Sequence, residues 1–222
     1  MTRGLKAGLM ATILAMASAG PVAAQDEQGF QSYLGTLRAQ ALAEGVTRRT
    51  VDEVFPTLTL SERTIELDRA QPGNPGRTAT PPFAPYRISH VDAARISRGR
   101  STYQAQRARL ARVEREMGVP EEIMVAIWGH ETNYGSYTGN FDLVRSLASL
   151  AYEGRRRPLF EGELIAALKM IDRGVISRDR LLGSWAGATG NPQFLPSVYL
   201  RLARDADGDG RPDIWNSPAD TG

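Results

Sequence analysis

In the stretch IWGHETNYGSYTG, residues 127 to 139, a carboxylate stands where a helix is expected to be apolar. Pro120, Glu121 and Glu122 open that helix with a fixed proline φ and an acidic first turn. Along it Met124, Ile127 and Trp128 recur at i, i+3 and i+4, and position i+7 is Glu131. An ionised carboxylate in apolar surroundings is costly, so such a group tends to keep its proton near neutral pH and can act as a general acid. The spacing fits equally well a helix-end glutamate that turns to solvent before Gly135, or one held by a buried arginine. His130 falls about 100° away around the helix and is expected to pack or to face water. His90 and His130 are the only histidines and cysteine is absent, so no Ser-His-Asp, Cys-His or paired-histidine metal arrangement is available.

A second group of carboxylates lies in DADGDGRPD, residues 205 to 213. Asp205, Asp207 and Asp209 occupy loop positions 1, 3 and 5, Gly210 allows the sharp turn at 6, and Asp213 stands at 9. Oxygen ligands at alternate positions wrap a hard cation such as calcium, which the loop is expected to hold as a structural ion; the chemistry itself needs no cofactor. Position 12 is Asn216 in place of the usual bidentate glutamate.

These groups need a scaffold, and the periodicity supplies helices. Phe30, Tyr33, Leu34, Leu37 and Ala41 mark one helix, Thr47 caps a second through Val54, and a long arginine-rich helix runs from Val91 to Met117, ended by Gly118. Further helices are expected over Phe141 to Tyr152, Pro158 to Asp172 and Pro196 to Arg204. Period-two runs of β-branched residues are missing, so the fold class is all-α. Residues 71 to 86, QPGNPGRTATPPFAPY, carry too many prolines and glycines for regular structure and are expected to form a surface loop. The first 24 residues have a basic start, an apolar centre and small residues Val22 and Ala24 before Gln25, and read as a secretory signal peptide. An N-terminal helical region with its loop (25–87) and a main domain (88–222) follow.

The chain has 27 basic and 25 acidic residues, and Arg3 and Lys6 leave with the signal, so the exported chain is balanced. That removes the electrostatic argument for nucleic acid. Without cysteine there is neither a disulfide framework nor an acceptor for a lipoprotein anchor. A periplasmic monomer with no membrane anchor is expected.

The blocks VAIWGHETNYGSYTG, LASLAYEGRRRPLFEGELIAAL and GSWAGATGNPQFLPSVYLRLARDADGDGRPDIWNS, in that order, resemble the lytic murein transglycosylase B family, glycoside hydrolase family 103. The resemblance implies a lysozyme-like α-domain that cuts the β-1,4 bond between N-acetylmuramic acid and N-acetylglucosamine in peptidoglycan, leaving 1,6-anhydromuramoyl ends. Glu131 then matches the single catalytic acid/base. Ser184 would bond near Glu131 or the acetamido group, Gln193 would hold the N-acetyl group, and Asn191, Tyr134, Arg155 and Arg156 join the expected substrate-binding residues, with Tyr137 and Trp185 as further stacking faces. The implied metal set is Asp205, Asp207, Asp209, Arg211, Asp213 and Asp220, over a loop reaching from 205 to 220. Thr189 and Leu195 stand where the family commonly has methionine. Members continue beyond the position of Gly222, which implies a chain incomplete at its C-terminus. Two other readings share this architecture: a hydrolytic muramidase, and a non-catalytic peptidoglycan- or calcium-binding scaffold.

Overall fold

A computed structural model describes residues 22–71 and 82–221. The expected signal segment lies almost wholly outside the described residues, as do residues 72–81 of the Pro/Gly-rich stretch. The described chain is predominantly helical: α1 (Val22–Ala43), α2 (Arg48–Val54), α3 (Glu62–Arg69), α4 (Phe83–His90), α5 (Ala93–Met117), α6 (Glu121–Thr132), α7 (Leu143–Glu153), α8 (Arg157–Asp172), α9 (Pro196–Leu202) and α10 (Pro218–Thr221), with a 3-10 turn at Phe55–Thr57.

Short polar side chains start these helices by taking up backbone N–H groups that have no partner inside the helix. Thr47 accepts from the N–H of Thr50, Ser61 from Thr64, Asp92 from Arg95 and Asp142 from Arg145. Gly118 and Gly154 end α5 and α7 in left-handed conformation, at φ 73° and 95°.

The antiparallel pair α7 and α8 is the centre of the molecule, and α1, α2, α3 and α9 pack around it. Phe30, Leu34 and Leu37 from α1 meet Leu143, Leu147 and Leu150 from α7 and Leu164 and Leu168 from α8 in one core. A leucine fully withdrawn from water contributes about 2 kcal/mol, so this cluster holds the fold. Helices α5 and α6 form a lobe packed chiefly on each other, and of α5 only Gly99 and Leu110 are buried.

One expectation needs correction. Residues 83–86, read as loop, are the first turn of α4, where Pro85 sits early enough to cost no internal hydrogen bond. Within the all-α class, the described residues also include two strands, β1 (Phe141–Asp142) and β2 (Leu182–Gly183), paired antiparallel with Phe141 opposite Gly183. At two residues each they are too short to leave a period-two signature.

Candidate functional site

Glu131 lies in the last turn of α6, and of the readings the spacing left open the structure shows the helix-end glutamate turned to solvent. The buried residues of α6 are Val125, Gly129 and Thr132, whereas Glu131 is exposed and Ile127 keeps 54% of its surface. Met124, Ile127 and Trp128 do form one stripe, but it faces a small cleft of about 200 Å³, closed on its far side by Pro192, Phe194 and Pro218. The apolar pattern therefore marks a cleft wall, and Glu131 follows it one turn further along α6 without itself lining the cleft. Among the described residues the Glu131 carboxylate makes no ion pair or hydrogen bond, which leaves both oxygens free for a ligand.

The turn after Glu131 is fixed from several sides. The Thr132 hydroxyl donates to the Asn191 carbonyl at 3.1 Å and accepts the N–H of Gly135 at 3.0 Å. Arg98 donates from Nε and Nη2 to the Asn133 side-chain oxygen, at 3.1 and 2.9 Å. Asn133, Tyr134 and Gln193 are the non-glycine residues with positive φ among those described, at 52°, 61° and 51°. Left-handed backbone costs a non-glycine residue about 1–2 kcal/mol, and such strain concentrates where function requires a fixed geometry.

The second block folds against this turn. Gln193 donates from Nε2 to the carbonyls of Thr138 and Gly190, both at 3.0 Å, tying the two segments together. At Gly139 an added Cβ would lie 2.2 Å from the Gly183 carbonyl and 2.6 Å from the Ser184 nitrogen, so only glycine allows the contact. The Ser184 hydroxyl accepts the N–H of Ala188 at 3.0 Å and keeps its own proton for another partner. The segment that follows Glu131 is thus laid onto the strand end that carries Ser184 and the turn that carries Gln193.

Other expected substrate residues are used internally. Asn191 is buried and donates to the carbonyls of Ile214 and Trp215 at 3.2 and 3.3 Å, as well as to Thr221. The Tyr134 ring meets Trp128 edge-on, and its hydroxyl is set against Gly99 and Gly129, so it wedges α5 to α6 and has no open stacking face. Arg155 and Arg156 both bond Asp68 of α3, at 2.9 and 2.6 Å, and Asp68 retains 1% of its side-chain exposure. Burial alone would push the Asp68 carboxyl up, but the two arginines outweigh it and hold it below the usual carboxylate range. Trp185 packs against the core, while Tyr137 is 64% exposed. Thr189, one of the departures from the family pattern, is fully buried: its hydroxyl donates to Leu182 and accepts the indole N–H of Trp215, so it does not face a ligand.

Sequence reading missed an aromatic group beside His130. The Tyr86 ring stacks on His90 with centroids 3.9 Å apart, and His130 lies 5.9 Å from His90. The i, i+4 spacing of Tyr86 and His90 was a usable signal, hidden by the proline-rich run around it.

In the loop after α9, ligand oxygens of Asp205, Asp207 and Asp209 lie within 4.8 Å of one another, a donor set that suits a hard cation. Asp205 accepts the N–H groups of Gly210, Gly208 and Asp209, which hold its carboxyl low. Asp213 and Asp220 stand outside that trio and take backbone N–H groups: Asp213 those of Trp215 and Asn216, Asp220 those of Ala206 and Asp213. Burial, with Asp213 and Asp220 nearby, pushes the Tyr199 phenol up to about 12.

A helical domain with a lone free carboxylate at a helix end, faced by a glycine-rich block, is a lysozyme-like transglycosylase fold. The chain belongs to the Transglycosylase SLT domain family, matched over residues 29–221. It is 31% identical over 179 residues to membrane-bound lytic murein transglycosylase B of Escherichia coli (strain K12), covering 78% of this chain and 49% of that protein. Among solved structures it resembles SltB3 of Pseudomonas aeruginosa in complex with NAG-NAM-pentapeptide, with a TM-score of 0.80 and 39% identity over 87% of this chain and 50% of that one. It also resembles the Escherichia coli lytic transglycosylase Slt35 in complex with calcium, with a TM-score of 0.72 and 28% identity over 88% of this chain and 60% of that one. The chain thus spans about half the length of the curated relative it matches.

Proposed function

We propose that this chain is a periplasmic lytic transglycosylase that cuts the β-1,4 bond between N-acetylmuramic acid and N-acetylglucosamine. The observation that carries the reading is the free Glu131 carboxylate, whose neighbour Thr132 bonds the Asn191 carbonyl of the block that bears Ser184 and Gln193. The lytic murein transglycosylase and the NAG-NAM-pentapeptide complex among its relatives support it.

The chemistry follows from one carboxyl group. A glycan laid along the cleft displaces water from Glu131 and so favours the protonated acid. That acid gives its proton to the glycosidic oxygen, and the C1–O bond breaks with its electron pair going to the leaving sugar. The substrate's own acetamido oxygen stabilises the cation at C1; the Ser184 hydroxyl orients the group by donating to it, and the Gln193 amide oxygen by accepting its N–H. The Glu131 carboxylate then takes the proton of the muramoyl C6 hydroxyl as that oxygen closes on C1. The acid is regenerated and water is not consumed, in contrast to two-carboxylate glycosidases. In this scheme Asp205, Asp207 and Asp209 hold a calcium ion in a structural role, for which the calcium complex of Slt35 is the supporting relative. Among the described residues no helix is long and apolar enough to cross a membrane.

Digestion of purified peptidoglycan with the chain and with Glu131→Gln tests the reading. The wild type is expected to release anhydromuropeptides, seen by mass spectrometry, and the variant to lose at least about 100-fold in rate. Reducing-end products alone would make the protein a muramidase; an equally active variant would remove Glu131 from its role.

A further inference from the structure

Beside the ion loop lies a cavity of about 490 Å³ that the reaction at Glu131 does not use. Three arginines line it, Arg173 and Arg180 from the turn after α8 and Arg211 from the loop, together with Tyr199, Trp215 and one carboxylate, Asp213. Among the described residues none of the three guanidinium groups makes an ion pair or side-chain hydrogen bond. The Arg180 guanidinium lies within electrostatic reach of Asp179 and Asp213 without forming an ion pair with either, although its backbone N–H serves Asp179. The Asp213 oxygens are already taken by the N–H groups of Trp215 and Asn216, at 3.0 and 2.9 Å, and by the Asn216 side chain. The cavity therefore presents a surplus of positive charge with forked donors, against rings that supply an apolar wall.

We propose that this cavity binds a peptide bearing at least two carboxylates. Guanidinium groups match carboxylates in a two-point geometry, and three of them around one cavity favour a ligand with several. The volume far exceeds a single inorganic anion, and the Tyr199–Trp215 pair gives a surface for the aliphatic parts of a peptide. The acidic stem peptides of peptidoglycan have this chemistry, a choice of source that rests on the function proposed above. Bound here, such a peptide would anchor the cell-wall polymer at a point apart from the glycan cleft.

Calorimetric titration of the full chain in millimolar calcium tests this with three probes: an acidic stem tetrapeptide, the same peptide with its carboxylates amidated, and inorganic phosphate. The acidic peptide is expected to bind, to weaken as salt rises, and to weaken about tenfold in each of Arg173→Gln and Arg180→Gln. Equal binding of the amidated peptide, phosphate binding as tightly as the peptide, or unchanged affinity in the double variant each overturns the proposal. Salt dependence and amidation are read on the wild type, so the test does not hinge on folding of the variants. No cleavage is needed either: failed binding leaves the Glu131 reaction standing, and failed cleavage leaves the titration valid.

Discussion

Gln193 sits at φ 51°, a conformation glycine adopts freely, while its amide ties the turn after Glu131 to the second block. The two contributions separate by substitution. Gln193→Ala keeps the strain and loses the amide, whereas Gln193→Gly loses both, so the glycine variant should be about 1 kcal/mol the more stable of the two in urea denaturation. Equal stability would show that the backbone there carries no strain. Glu131 and Ser184 were singled out in the sequence because their blocks resemble a family's, and the structure leaves the Ser184 hydroxyl proton free for a partner. Asn191, Arg155 and Arg156 were misplaced by the same method, for matching a block does not say which way a side chain turns. Their partners lie far off in sequence: Asp68 for the arginines, Ile214 and Thr221 for Asn191. The exposure of Glu131 was one of the readings that the spacing left open, since an apolar stripe that lines a cleft has the same period as one that enters a core.

Between elements, Asp68 is the main ionic fastening of α3 to the α7–α8 corner. Its carboxyl is held low, so it strengthens the fold fully above the ordinary value of 3.8, and that contribution fades as pH falls through the lower folded value. Urea midpoints measured from neutral pH downward should therefore drop less steeply below pH 3.8 in Asp68→Asn than in the wild type. At neutral pH the variant should be about 2–3 kcal/mol less stable, since both arginines remain partly solvated. Parallel curves would assign the acid sensitivity elsewhere. The helices were legible at this scale through caps and periodicity: Thr47, Gly118 and Pro120 mark ends that the structure confirms to within about two residues. The strands β1 and β2 were not, because pairing of Phe141 with Gly183 is a tertiary event.

For the whole molecule, an ion bound only by the folded chain must stabilise it. Calcium at 100 times its dissociation constant adds about 2.7 kcal/mol, which for a domain of this size raises the melting temperature by about 5–10 °C. Asp207→Asn, which preserves the shape of a loop residue while removing a charge, should abolish most of that rise; an unmoved wild type would empty the loop of its role. The all-α class and the clustering of Asp205, Asp207 and Asp209 were readable from spacing alone, whereas the shared core of α1–α3 with α7 and α8 needed three-dimensional packing to appear. One line of contacts links the aspartate loop to the end of α6. Asp220 grips the ion loop at Ala206 and Asp213, its neighbour Thr221 meets Asn191, and the Asn191 carbonyl holds Thr132, next to Glu131. Four handholds thus run from the aspartate loop to the residue beside Glu131, so a disturbance of that loop reaches the end of α6 without passing through the core.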